Sequence, residues 1–250
     1  MCKKVMLSLL VSLVLVVSST QATVVFFDNF DSQPLGTLGA SAPIGMGWSQ
    51  QTTTIPTVVN TYAQSGTQSL AVARMGTPVP TSPSTFGLSA TGTAVAGKEL
   101  KLSFDILGGG YDSAQVWLNF GGGIMGGFVI QGGGFYGFQD NGVTVASTLK
   151  PTITAWDKVE MLVHLTDAGS GKIGGTYDAW ITKSGGTRTQ LATAYALVAK
   201  TTDGIARIQF QEGYNQVNYY DNVMIEVVPE PATVSMLGLG LLGLLRRRRK

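Results

Sequence analysis

Hydrophobic and polar positions alternate with a period of two through most of the middle and C-terminal half of this chain. In KELKLSFDIL, Leu100, Leu102, Phe104 and Ile106 alternate with Glu99, Lys101, Ser103 and Asp105. In AQVWLNF, Val116, Leu118 and Phe120 alternate with Trp117 and Asn119; in KVEMLVHL, Val159, Met161, Val163 and Leu165 oppose Glu160, Leu162 and His164. TYDAWIT sets Tyr177, Ala179 and Ile181 against Asp178 and Trp180, and IARIQF and NYYDNVMIEV continue the pattern. Such alternation is the mark of strands buried on one face. Turn signals punctuate it: Gly108-Gly109-Gly110, Gly121-Gly122-Gly123, Asp140-Asn141-Gly142, Asp167-Ala168-Gly169 and Ser184-Gly185-Gly186, with Asn141-Gly142 suited to a tight hairpin. The glycines of GGGIMGGFVIQGGGFYGFQDNG are spaced by apolar and aromatic residues, which reads as two curved strands rather than a linker. The nearest rival to a helix before the C-terminal tail, TQLATAYALVAK at 189–200, reads as strand and loop. Many short strands with glycine-rich turns predict an all-β, two-sheet antiparallel sandwich whose inner faces supply the core.

The two ends break the pattern. Lys3 and Lys4 precede an apolar run over residues 5–17, followed by Ser18-Ser19-Thr20-Gln21-Ala22. These are the basic, apolar and small-polar regions of a secretory signal peptide over residues 1–22, with cleavage expected after Ala22. The single cysteine, Cys2, falls inside it, so the processed chain has no disulfide available in a compartment that permits them. At the other end Pro229, Glu230 and Pro231 precede an apolar run over 232–245 and a cluster of Arg246, Arg247, Arg248, Arg249 and Lys250. As a helix that run would rise roughly 21 Å, short of the ~30 Å hydrocarbon core, with extra reach from Val227, Val228 and snorkelling arginines. The cationic cluster would stay cytoplasmic and halt translocation, and the two prolines keep the junction extended and open to a protease.

Residues 227–250, with this three-part order, resemble the PEP-CTERM sorting signal of Gram-negative bacteria. The resemblance implies an exosortase-type enzyme that recognises Pro229-Glu230-Pro231, cuts there, and releases or transfers the protein. It also implies an exported chain, held in the inner membrane as a precursor by a transient C-terminal helix. The chain would then lie at the cell surface or in the extracellular matrix, in company with polysaccharide.

The positive balance belongs to the ends. The whole chain carries 17 Lys and Arg against 15 Asp and Glu, a net +2. Without Lys3, Lys4 and the five terminal cations ten basic residues remain, and without Glu230 fourteen acidic ones, so residues 23–226 sit near −4. A nucleic-acid partner is therefore not expected. Thirty-three glycines and few charges suit an exported β-protein.

FFDNFDSQPLGTLG, SGTQSLAV, TAWDKVEMLVHL and YYDNVMIEV, in that order, resemble the concanavalin A-like lectin/glucanase jelly roll across the body of the chain, residues 23–226. The resemblance implies first and last strands paired near one edge and middle strands forming a concave sheet.

Catalytic chemistry is poorly provided for. Jelly-roll glucanases carry Glu-x-Asp-x-x-Glu on one strand, and no such string occurs here. Jelly-roll alginate lyases use Gln-x-His and a Tyr-rich strand; QEGYNQ at 211–216 resembles the second, but Gln-x-His is absent. His164 is the only histidine, and no Gly-x-Ser-x-Gly elbow accompanies it. No catalytic residue is assigned. Calcium prefers carboxylate and carbonyl oxygens. Asp28, Asp31 and Asp221, in the first and last strand motifs, form a candidate structural calcium set, with backbone oxygens from the loop at Ser65-Gly66. For sugar binding, parity places Trp117, Asn119, His164, Asp178 and Trp180 opposite the aliphatic faces of their strands. Indole can stack on pyranose rings and the polar groups can hold hydroxyls, provided the strands share one sheet. The expectation is a non-catalytic, polysaccharide-binding exported protein. The alternatives are a glycan-active hydrolase or lyase with a divergent site and a structural matrix protein with no sugar ligand.

Overall fold

A computed structural model describes residues 22–37, 48–50, 56–73, 84–93, 97, 99–108, 114–121, 123–131, 134–140, 143–152, 154–212 and 217–228. The signal peptide, the Pro229-Glu230-Pro231 motif, the tail that follows it and the Asn141-Gly142 turn lie outside the described residues. In chain order the strands are β1 (Thr23–Asp28), β2 (Gly36–Thr37), β3 (Trp48–Gln50), β4 (Thr57–Val59), β5 (Ser69–Ala73), β6 (Ser84–Thr93), β7 (Glu99–Leu107) and β8 (Ala114–Gly121). They continue with β9 (Ile124–Gln131), β10 (Phe135–Asp140), β11 (Val143–Ala146), β12 (Asp157–Gly169), β13 (Lys172–Thr182), β14 (Arg188–Glu212) and β15 (Val217–Val228).

All pairings are antiparallel, and they build two layers. The first runs β2-β4-β5-β15-β7-β12-β13 and then the N-terminal part of β14, with β1 beside β15. The second runs β3-β6-β14-β8-β9-β10-β11. The segment 189–200 is strand throughout, the first part of β14. Thr201 still pairs with β13, whereas Ile205 to Glu212 pair with β6. Shifts of register along the way, and Ala194 at φ 48°, let one long strand turn the corner between layers. The glycine-rich segment forms β9 and β10, paired from Phe135↔Gln131 to Gln139↔Gly127. At Gly127 a Cβ would stand 2.2 Å from the Val116 carbonyl oxygen, so only glycine lets β9 lie this close to β8.

The parities read from the sequence set the core. Leu100, Leu102, Phe104 and Ile106 of β7, Val159, Met161, Val163 and Leu165 of β12, and Tyr177, Ala179 and Ile181 of β13 point inward from the first sheet. Val116, Leu118, Phe128, Tyr136, Phe138, Ile208 and Phe210 meet them from the second. Phe104 is the cross-layer centre, edge-on to Phe128 and to Phe210 at 5.8 Å each and to Tyr220 at 6.1 Å. The first strand does pair with the last, Thr23↔Val227 through Asp28↔Val223. Replacing Phe104 with Ala should lower the unfolding free energy by about 3–5 kcal/mol, measured by denaturant titration; a loss below about 1 kcal/mol would contradict this cross-layer packing.

Candidate functional site

The three aspartates nominated for calcium are all tied to backbone and amide N–H groups. Asp28, fully buried, accepts Phe30 N at 2.7 Å on Oδ1 and Gln33 Nε2 at 3.0 Å on Oδ2. Asp31 Oδ1 accepts Thr67 N at 2.7 Å and Gln68 N at 3.1 Å, and its Oδ2 accepts Asn29 Nδ2 at 3.0 Å. Asp221 Oδ2 accepts Gln64 N at 2.8 Å and Ser65 N at 3.0 Å, and Oδ1 accepts Asn222 N at 2.7 Å. The loop at Ser65-Gly66 thus presents amide protons, rather than carbonyl oxygens, to the carboxylates. Gly66 sits at φ +61°, and a Cβ there would fall 1.7 Å from Asp31 Oδ2. With its amide turned to donate, Gln68 Nε2 also reaches Phe30 O at 3.1 Å and Gln33 O at 2.9 Å. Among the described residues no three His, Cys, Asp or Glu side chains come together to hold a metal ion. The arrangement therefore does not fit a calcium cage; it fits a clamp that holds residues 60–69 against β1 and β15.

The five residues nominated for sugar binding are divided between the two sheets, so the expectation that they share one is corrected. β8 belongs to the second sheet; β12 and β13 belong to the first. Strand parity alone cannot assign a strand to a layer, because both layers are built from the same alternation.

On the first sheet His164, Asp178 and Trp180 do come together, but each has a partner. His164 Nδ1 is 2.8 Å from Glu99 Oε1 and Nε2 is 3.5 Å from Asp178 Oδ2. Asp178 Oδ1 accepts Ala194 N at 2.7 Å. The Arg188 guanidinium lies 4.3 Å from the Trp180 ring centre while its Nε donates to Glu160 at 2.9 Å. Lys101 stands between Glu226 at 3.1 Å and Glu160 at 3.9 Å. These are half-exposed pairs, each worth roughly 0–1 kcal/mol. They form a self-neutralising surface: the imidazole has a carboxylate on each nitrogen and the indole is covered by a cation.

The second sheet presents a different surface. Across its seven strands Ser49, Gly87, Gln209, Trp117, Gly127, Gln139 and Thr144 stand in one register row. A parallel row holds Thr85, Gln211, Gln115, Val129 and Gly137, and Arg207 stands between Ser89 and Asn119. The intervening positions Val116, Leu118 and Phe128 are core, so Gln115, Trp117, Asn119, Val129 and Gln139 lie on the opposite face, where Trp117 and Val129 are themselves buried. Trp117 is only 6% exposed, and its Cε3 lies 2.9 Å from where a Gly127 Cβ would be; the indole is packed across β9. Gln115 and Asn119 beside it remain partly open. Amides and hydroxyls dominate these rows, and neither Asp nor Glu occurs in them.

A third polar cluster gave no sequence signal, because its members lie on separate elements. Asp157, fully buried, accepts the Tyr136 hydroxyl, Lys183 Nζ at 2.6 Å and Ser184 N at 3.0 Å. Lys183 also donates to Lys150 O at 2.7 Å and Thr152 Oγ1 at 2.9 Å. Burial, with the Asp157 carboxylate beside it, pushes the Tyr136 phenol far above its usual range, so it stays a hydrogen-bond donor. The cluster pins 150–157 and the β13–β14 turn to β10.

The architecture is that of an all-β, two-sheet antiparallel jelly-roll sandwich. The chain is similar to the endo-β-1,4-glucuronan lyase of the fungus Trichoderma reesei, at 15% identity and a TM-score of 0.50, covering 76% of this chain and 92% of that one. Peanut lectin also aligns, at 10% identity and a TM-score of 0.47, over 77% of this chain and 96% of that one. So does a xylan-binding domain from Paenibacillus barcinonensis, at 12% identity and a TM-score of 0.41, over 84% and 97%. Likeness at these identities concerns the fold. No curated protein matches the chain by sequence. Residues 227–250 match the PEP-CTERM protein-sorting motif, which marks an exported, exosortase-sorted protein. Among the described residues no helix is long and apolar enough to cross a membrane.

Two buried carboxylates give the fold a pH dependence. Burial raises Asp105 above the usual carboxylate range, against the opposing pull of the Asn222 amide and Lys158. Burial also raises Asp221, against its backbone N–H partners and with Asp105 adding to the rise. The two stand opposite each other in register. A folded state that binds protons more tightly than the unfolded chain is favoured below the unfolded pKa of ~3.9 and loses that advantage as pH rises through the folded value. Asp105→Asn should therefore improve relative to wild type between pH 4 and pH 7 in thermal unfolding. A relative stability that worsens over that interval would show the shift to be of the opposite sign.

Proposed function

We propose that the body of this exported chain binds polysaccharide, without cleaving it, on the outer face of the second sheet. The observation that carries this reading is the set of partly open amides around Trp117 on that face, Gln115 and Asn119 on β8 and Gln139 on β10. Amides pair with vicinal hydroxyls as donor and acceptor at once, and a sheet face spaces such groups regularly along an extended chain. In most families glycoside hydrolysis needs a pair of positioned carboxyl groups, and neither Asp nor Glu stands in the register rows about Trp117. His164, the only imidazole, lies on the first sheet between two carboxylates. The names of the similar structures, a glucuronan lyase and a xylan-binding domain, support polysaccharide as the ligand class.

In this reading export removes residues 1–22. An inner-membrane precursor is then cut at Pro229-Glu230-Pro231 by an exosortase-type enzyme, and the body remains at the cell surface or in the matrix of a Gram-negative bacterium. The test is affinity electrophoresis of the purified chain in gels carrying xylan, glucuronan, alginate or a neutral β-glucan, with absorbance at 235 nm followed for unsaturated lyase products. Retention by at least one polymer without product formation is expected. A Gln115→Ala/Asn119→Ala double variant should lose roughly thirtyfold in affinity, on the scale of two lost hydrogen bonds at about 1 kcal/mol each, with its melting temperature little changed. Product formation would move the chain to the enzymes; no retention by any polymer would leave a structural matrix protein.

A further inference from the structure

The clamp formed by Asp31 and Asp221 holds something in place. Residues 60–69, NTYAQSGTQS, contain no charged side chain. The middle of the segment is clamped: Asp221 takes the amides of Gln64 and Ser65, and Asp31 takes those of Thr67 and Gln68. Ser65 Oγ adds a bond to Asn222 Oδ1 at 2.8 Å, and Ser69 Oγ donates to the Tyr62 carbonyl at 2.5 Å. Just before the clamped stretch Tyr62 is 46% exposed, and its ring packs against Tyr219 of β15 with centroids 4.7 Å apart and planes tilted by 57°. The cross-strand partners of Tyr219 are Ala71 and Leu107, both uncharged. Asn60, Thr61 and Gln64 are exposed beside Tyr62.

Tyr62 and Tyr219 together form an aromatic pair with a polar rim, on a loop held by a rigid scaffold, and loops so held commonly carry binding residues. Its chemistry here is narrow. An aromatic ring offers its face to the C–H side of a pyranose, and the amide and hydroxyl groups of Asn60, Thr61 and Gln64 suit the hydroxyls around that ring. The loop carries no cationic side chain to pair with a uronate. The bracing removes the ordering cost that a loose loop would bring to binding.

We propose that Tyr62 and Tyr219 form a second carbohydrate site, at the β4–β5 end of the first sheet, for a neutral pyranose of a polysaccharide chain. It lies on the other layer from the amide rows about Trp117 and stands or falls separately from them.

The test is isothermal titration of the full chain with xylohexaose, cellohexaose and a guluronate hexamer, comparing wild type, Tyr62→Ala, Tyr62→Phe and the Gln115→Ala/Asn119→Ala double variant. Tyr62→Ala should weaken binding of a neutral hexamer roughly fivefold, the scale of a lost aromatic contact, and Tyr62→Phe should restore it, since the ring face does the work. Because Tyr62 is nearly half exposed, the Ala variant should melt close to wild type. Loss in Tyr62→Ala with the double variant unaffected supports this site and removes the sheet-face reading. Loss in the double variant alone overturns this site and keeps that reading. Binding of the guluronate hexamer only, or of no sugar, overturns this site, as does a Tyr62→Phe variant that fails to rescue.

Discussion

The fold closes around carboxylates that accept backbone amides. Asp31 and Asp221 are far apart in the chain, yet both direct their oxygens at one ten-residue loop, and Asp28 fixes the turn that brings Asp31 into place. An ionised carboxylate accepting two or three N–H bonds is among the stronger neutral-to-charged contacts a protein can make. It also replaces water for amides that would otherwise be buried without partners. With a single cysteine the chain can form no internal disulfide, and these clamps take over the stapling that disulfides give to other exported domains. Gly66 completes the device, since any side chain there would collide with Asp31. The last strand therefore couples to everything near it: β1 by pairing, β7 by pairing, and the Tyr62 loop by Asp221.

Charge divides the molecule by layer. The outer face of the first sheet carries Glu99, Lys101, Glu160, His164, Asp178, Arg188 and Glu226 in a mesh of pairs at 2.8–3.9 Å. That mesh satisfies itself and has little left for a ligand. The rows of the second sheet consist mainly of amides, hydroxyls and glycines, with Arg207 at one end. A hydroxyl-rich polymer competes poorly with a carboxylate for a cation and well with water for an amide.

Period-two alternation was legible wherever a strand had one wet face, and it placed Val159, Met161, Val163 and Leu165 in the core with Glu160 and His164 outside. It also recovered the glycine-rich hairpin, because the apolar residues between the glycines kept strand spacing. It failed at Trp117, whose polar-side parity promised an open indole. The ring is instead laid down over Gly127, a contact that depends on the closeness of β8 and β9. It failed again for the five nominated sugar residues, since alternation says which face of a strand a residue occupies and not which sheet the strand has joined.

By itself the amino-acid order determined the β class, the inward residues of each strand, and the address at the C-terminus, because these are written in local periodicity and in a contiguous motif. The pairing of Tyr62 with Tyr219, the amide rows around Trp117, the Asp157 cluster and the use of aspartates as amide clamps were decided only in three dimensions. Each joins residues from separate strands or loops, and their meeting follows from sheet register and from a strand, β14, that leaves one layer for the other. Sequence fixes neither quantity locally, because register is chosen by the burial of a whole face at once.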